Sequence, residues 1–163
     1  MSSAYSSQFD GNAVIDGDFD TICASLLGEN EWVSVQVPDD TPIFYVAVYN
    51  RRDRPQDQSW LSPFEIWVGS AYGDTNATSA HRCGSESVPA GPGPFLVACG
   101  GITSGSYVTL RQTDGERYLT ISELQVCSIL PPPSLPPSPP PPPFLPPPRP
   151  PPSPPPIPPT PPL

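Results

Sequence analysis

The chain has 163 residues, 30 of them proline, with 16 Asp and Glu against 7 Lys and Arg. Every cation is an arginine, and residues 1–130 set six of them against all 16 acids, a net charge of −10. A domain this acidic repels a phosphate backbone, which argues against nucleic acid as a partner. No stretch approaches the roughly 18 apolar residues of a membrane-spanning helix.

In chain order, residues 1–9 show no periodicity and read as an N-terminal tail or a truncated first strand. Trp32-Val33-Ser34-Val35-Gln36-Val37 alternates with period two and runs into the turn former Pro38-Asp39-Asp40. Residues 43–49 are almost continuously apolar, the pattern of a strand covered on both faces. Further strands are expected at 64–68, 95–98, 107–110 and 119–126, separated by Gly, Pro, Ser and Asp clusters such as 69–74 and 89–94. No segment keeps a helical period for three turns. Short strands punctuated by turns predict an all-β fold, an antiparallel sandwich or jelly roll over residues 10–130.

The chain changes character after Leu130: from Pro131 to Leu163, 23 of 33 residues are proline. With φ fixed and few N–H donors, this segment can build neither helix nor sheet ladder. It is expected to be a disordered polyproline II tail, a semi-rigid rod at about 3.1 Å per residue. One reading is a spacer. A second notes that Ser138 before Pro139 to Pro143, and Ser153 before Pro154 to Pro156, resemble the Ser-Pro blocks of extensins and algal wall glycoproteins. In a third, Arg149-x-x-Pro152-x-x-Pro155 fits an SH3 ligand and Pro139 to Pro143 a profilin ligand.

Cys23, Cys83, Cys99 and Cys127 form no C-x-x-C pair, and His81 is the one histidine, so a zinc site lacks its parts. An even count in a loop-rich chain predicts two disulfides and an oxidising compartment. Asn76-Ala77-Thr78 is an N-glycosylation sequon. MSSAYSSQFDGN has neither the basic nor the apolar region of a signal peptide. The expectation is therefore a piece of a longer secreted or cell-wall protein.

Several motifs stand in an informative order. Ala13-Val14-Ile15-Asp16-Gly17-Asp18 is followed by Cys23 and the Trp32 strand. Then come Asn50-Arg51-Arg52-Asp53, Phe64-Glu65-Ile66-Trp67-Val68-Gly69, the pair Cys83 and Cys99, and Gly105-Ser106-Tyr107-Val108-Thr109. Leu119-Thr120-Ile121-Ser122-Glu123-Leu124-Gln125-Val126 closes the series. Together they resemble the F-type lectin (fucolectin) and discoidin-like galactose-binding domains over residues 10–127. The resemblance implies an eight-stranded jelly roll with a shortened or missing N-terminal strand.

It also implies sites. Arg51 and Asp53 match the family's sugar-gripping Arg-x-Asp. Its histidine falls on Ala24 or Ser25, and its last basic residue on Gln58 or near Trp60. The family's adjacent cysteine pair is replaced by Arg54-Pro55-Gln56. Two of three fucose contacts are thus absent, so the implied site is retuned: Arg51, Arg52, Asp53, Gln58 and Trp60, with the indole as stacking surface. An ion pair that merely stabilises a strand end is the alternative for Arg51 and Asp53. The resemblance places calcium between Asp16, Glu123, the Ala13 carbonyl and Asp18; a solvated acidic turn is the alternative. It pairs Cys83 with Cys99. It sets the partner of Cys23 at Ser122, with Cys127 as the substitute and an unpaired Cys127 as the alternative.

No G-x-S-x-G or H-E-x-x-H is present, and the best carboxylate pair, Asp16 and Glu123, belongs to the implied cation site. The expected function is a non-catalytic module binding an extracellular glycan or glycoprotein, held on a stiff rod. A structural wall glycoprotein with no active lectin site is the second reading.

Overall fold

Alternation becomes pairing where one face of each strand finds a partner. The computed structural model describes residues 1–102 and 105–128. The composition break at Leu130 and the tail, with its Ser-Pro blocks and the Arg149 motif, lie outside the described residues. The strands are β1 (Cys23–Ala24), β2 (Trp32–Gln36), β3 (Ile43–Tyr49), β4 (Phe64–Gly69), β5 (Ala80–Glu86), β6 (Phe95–Ile102), β7 (Tyr107–Gln112), β8 (Thr120–Ile121) and β9 (Glu123–Cys127). A four-stranded sheet, β2-β7-β4-β5, packs on a three-stranded one, β6-β3-β9, and β1 and β8 form a separate two-stranded ladder. Every pairing is antiparallel. The fold is the expected jelly-roll sandwich. Among the described residues no helix is long and apolar enough to cross a membrane.

The core lies between the two main sheets. Val33, Val35, Phe64, Ile66, Val68, Val108 and Leu110 meet Ile43, Val46, Val48, Val97 and Leu124. Fully burying one such side chain contributes about 1.5–3 kcal/mol. Three differences from the expected strands have physical causes. First, β1 and β5 were not expected: Cys23–Ala24 is only two residues long, and Ala80–Glu86, polar and with no fully buried residue, is held by its ladder to β4 and by the Cys83–Cys99 bond to β6. Second, residues 43–49 are covered less completely than their run suggests, with Phe44, Tyr45 and Tyr49 half-buried.

Third, the expected strand at 119–126 divides at Ser122. Its amide donates to the Tyr49 carbonyl (2.9 Å) and its hydroxyl to that of Asn50 (3.0 Å). That anchor turns the chain from β8, paired with β1, to β9, paired with β3.

The same division corrects a disulfide. Cys83 and Cys99 are bonded (S–S 2.03 Å), but Cys23 and Cys127 are free thiols. Cys23 sits opposite Ile121 in the small ladder, whereas Cys127 sits opposite Tyr45 at the far end of β9, in another sheet. Burial pushes the Cys23 thiol up to about 12, so it stays protonated and inert.

Residues 1–9 form no strand, yet they are tied to the domain. The Ser2 amide donates to the Trp32 carbonyl and the Tyr5 amide to that of Ala24, both at 2.8 Å, while the Ala24 amide donates to the Phe9 carbonyl (3.1 Å).

Candidate functional site

Asn50 ends β3 and fixes the loop that follows. Its Nδ2 donates to the Gln58 carbonyl and the Gln58 Nε2 returns to that of Arg51, both at 2.8 Å. This reciprocal brace closes residues 51–58 into a rigid loop. A short 3₁₀ segment, Pro55–Leu61, then carries Trp60. Inside the brace, Arg51 forks onto Asp53, Nε at 2.9 Å and Nη2 at 2.7 Å, and its Nη1 lies 3.7 Å from Asp57. The Arg51 hydrogen bonds hold the Asp53 carboxyl below its ordinary value.

Beside this loop opens a cleft of about 360 Å³, lined by Tyr5, Phe9, Arg51, Asp53, Arg54 and Trp60, and closed by Ile22, Ala24, Tyr118 and Thr120. That is the size range of small-ligand pockets. The Trp60 and Tyr118 rings lie 5.2 Å apart, tilted by 35°, and Tyr5 meets Tyr118 and Phe9 edge-on at 6.0 and 6.1 Å. Gln112, fully buried, holds the two main rings together: its Nε2 donates to the carbonyls of Trp60 (2.6 Å) and Tyr118 (3.1 Å). The result is a partly open aromatic wall next to a compensated guanidinium. Such a surface offers C–H stacking area and directed polar atoms together.

Of the five expected sugar-site residues, Arg51, Asp53 and Trp60 are brought together. Gln58 is spent on the loop brace and lies outside the lining. Arg52 points away and stacks on Phe19, its guanidinium carbon 5.0 Å from the ring centroid. Ala24 stands in the cleft wall, while Ser25 is buried with its hydroxyl on the Leu26 carbonyl. Sequence reasoning missed Tyr5, Phe9, Arg54, Tyr118 and Thr120. The one available signal was the pair Tyr5 and Phe9, aromatic residues four apart in an otherwise polar stretch.

The acidic loop lies elsewhere. Ala13 belongs to a 3₁₀ turn, Gly11–Val14. The Asp16 side chain accepts the Asp18 amide and the Thr21 hydroxyl, both at 2.8 Å, and Asp18 accepts the Asp20 amide at 2.9 Å. Gly17, at φ +76, turns its amide toward Glu123 (3.3 Å), a conformation that favours glycine. Burial, and secondarily the charge of Asp16, push the Glu123 carboxyl above its ordinary value against the pull of that amide. Among the described residues no arginine pairs with Asp16, Asp18 or Glu123, and no three His, Cys, Asp or Glu side chains gather as a metal cluster. Both Asp16 side-chain oxygens are engaged within the loop, and its charge adds to the burial that raises Glu123.

His81 is exposed on β5. Asn76 is exposed in the turn before β5, its Oδ1 accepting the Thr78 amide (3.0 Å) and hydroxyl (2.9 Å).

No sequence-family profile matches the chain, and no curated protein matches it. Solved structures do. A fucolectin from striped bass (Morone saxatilis) serum superposes with a TM-score of 0.64 at 24% identity, over 76% of this chain and 43% of that one. The chain thus spans less than half of the fish lectin. Chitosan-binding module 1 of a chitosanase/glucanase from Paenibacillus sp. IK-5 gives 0.62 at 18% identity, over 77% and 90% of the two chains. The family 32 carbohydrate-binding module of C. perfringens NanJ, solved with galactose, gives 0.62 at 13%, over 76% and 88%. What they share with this chain is the galactose-binding-like fold.

Proposed function

We propose that the chain is a non-catalytic module that binds a glycan or glycoprotein in the cleft beside Arg51. The observation that carries this reading is the open Trp60–Tyr118 wall set against the braced Arg51–Asp53 fork. A pyranose ring needs both: an aromatic face for its C–H groups and fixed polar atoms for its hydroxyls. The three solved structures above, two of them sugar-binding modules and one a fucolectin, support it. The Cys83–Cys99 bond and the exposed sequon at Asn76 support an extracellular setting and N-glycosylation there.

The full chain is tested on an array bearing L-fucose, galactose and chitosan oligosaccharides. We expect binding to at least one class, weakened about tenfold or more by Trp60→Ala. Silence across the array overturns the reading in favour of a wall protein without a lectin site.

Asp16, Glu123 and the carbonyls of Ala13 and Asp18 are proposed to hold a structural calcium. It would neutralise the Glu123 charge that burial leaves uncompensated. Calcium at a hundredfold its Kd would raise the melting temperature by roughly 5–10 °C, a gain lost on chelation. No shift with chelator removes the ion.

A further inference from the structure

Three buried side-chain polar atoms among the described residues have no hydrogen-bond partner: Arg111 Nε, Gln112 Oε1 and Thr120 Oγ1. One of the three lines the cleft, and a second bonds the backbone of its aromatic walls. Thr120 is part of its lining, and Gln112 is the side chain whose amide nitrogen secures both aromatic walls. Folded proteins satisfy nearly all buried polar groups, and an exception gathered at a concave site calls for a specific cause.

Thr120 is the sharper of the two. The residue is only 1% exposed, and its strand neighbours Leu119 and Ile121 are fully buried in the apolar core. Its ladder partner across β1 is Ala24, itself in the cleft wall, so no side chain on that strand can receive the hydroxyl. A valine would fill the same volume without stranding an oxygen. Leaving a buried hydroxyl unpaired weakens a fold, whereas replacing it by an apolar group of the same shape is neutral or stabilising.

We infer that Thr120 is a ligand-binding residue of the cleft floor, whose hydroxyl is completed by a hydroxyl of the bound sugar, directly or through one water. A single staggered step of χ1 moves the oxygen to another substituent position on Cβ, which re-aims the hydroxyl toward an occupant. This inference rests on the carbohydrate reading and adds a contact that Arg51, Asp53 and Trp60 do not supply. It also gives the site a means of selection. A floor built to pair a hydroxyl rejects the analogue that lacks it, because the buried oxygen is then left bare.

The test uses the full chain, with Thr120→Val, Thr120→Ser and Trp60→Ala compared by thermal melting and by titration with the best-bound sugar of the array. Thr120→Val is expected to melt at or above the wild-type temperature while losing about tenfold in affinity. Thr120→Ser, which keeps the hydroxyl, is expected to retain most of that affinity. Wild-type affinity in Thr120→Val, with Trp60→Ala still impaired, overturns the role of Thr120 and leaves the carbohydrate reading standing. A Thr120→Val protein that melts well below wild type overturns it too, since the hydroxyl would then serve the fold. If wild type binds none of the sugars, both fall together.

Discussion

Two places in this molecule set arginine, carboxylate and tryptophan side by side, and only one of them is open. On the outer face of the four-stranded sheet, Glu65 accepts the Trp67 indole N–H (2.9 Å), Arg111 Nη2 (2.7 Å) and Arg82 Nη1 (2.9 Å). Both guanidinium groups lie over the Trp67 ring, at 5.6 and 5.9 Å, and the indole is 5% exposed. In that cluster the indole is covered and both Glu65 oxygens are spent on neighbouring side chains. Beside β1 and β8, the Arg51–Asp53 fork leaves Trp60 and Tyr118 half-buried around a cleft. Residue types alone therefore do not mark a site. The difference is whether the aromatic faces are consumed internally or remain uncovered.

Breaking the closed cluster should have the largest effect on stability. Glu65→Ala removes the carboxylate that two guanidinium groups and an indole share, at a cost of about 3 kcal/mol, discounted from a fully buried pair because Arg82 is half exposed. Sugar binding by the folded variant should be unchanged, as checked by denaturant melts and the same array. The pH dependence follows. Burial alone would raise Glu65, but the Trp67, Arg111 and Arg82 hydrogen bonds outweigh it and hold the carboxyl below its ordinary 4.5. A carboxyl whose folded value is depressed stabilises fully above the unfolded value and loses that contribution as pH falls through the folded one. Melts between about pH 5 and pH 2 should show this acid limb, and Glu65→Gln should flatten it.

A smaller effect separates neighbouring arginines of the open site. Arg54 lines the cleft and Arg52 does not, so Arg54→Ala should weaken sugar binding a few-fold, the scale of a rim charge. Arg52→Ala should leave it unchanged within error. Equal losses in both would mean that the ligand lies over the Arg52–Phe19 pair, outside the cleft.

The sandwich was legible where a strand buries alternate residues, as Trp32–Gln36 does, and where an apolar run is buried on both faces, as Phe64–Gly69 is. Ala80–Glu86 was not, because none of its residues is fully buried and a disulfide and a backbone ladder, not patterning, keep it in the sheet. Arg51, Asp53 and Trp60 could be read from one contiguous motif. Tyr5, Phe9 and Tyr118 could not, since the cleft assembles segments more than a hundred residues apart. The Cys23–Cys127 expectation failed for a related reason. Counting cysteines says nothing about the turn at Ser122 that sends the two into different sheets.

That turn has a consequence for the two proposed sites. Thr120, in the cleft lining, and Glu123, facing the acidic loop, stand only three positions apart, about 10 Å of extended chain. Between them Ser122 is pinned to the backbone of Tyr49 and Asn50, and Asn50 is also the start of the brace that shapes the Arg51 loop. Both proposed sites are therefore positioned from the same backbone anchor.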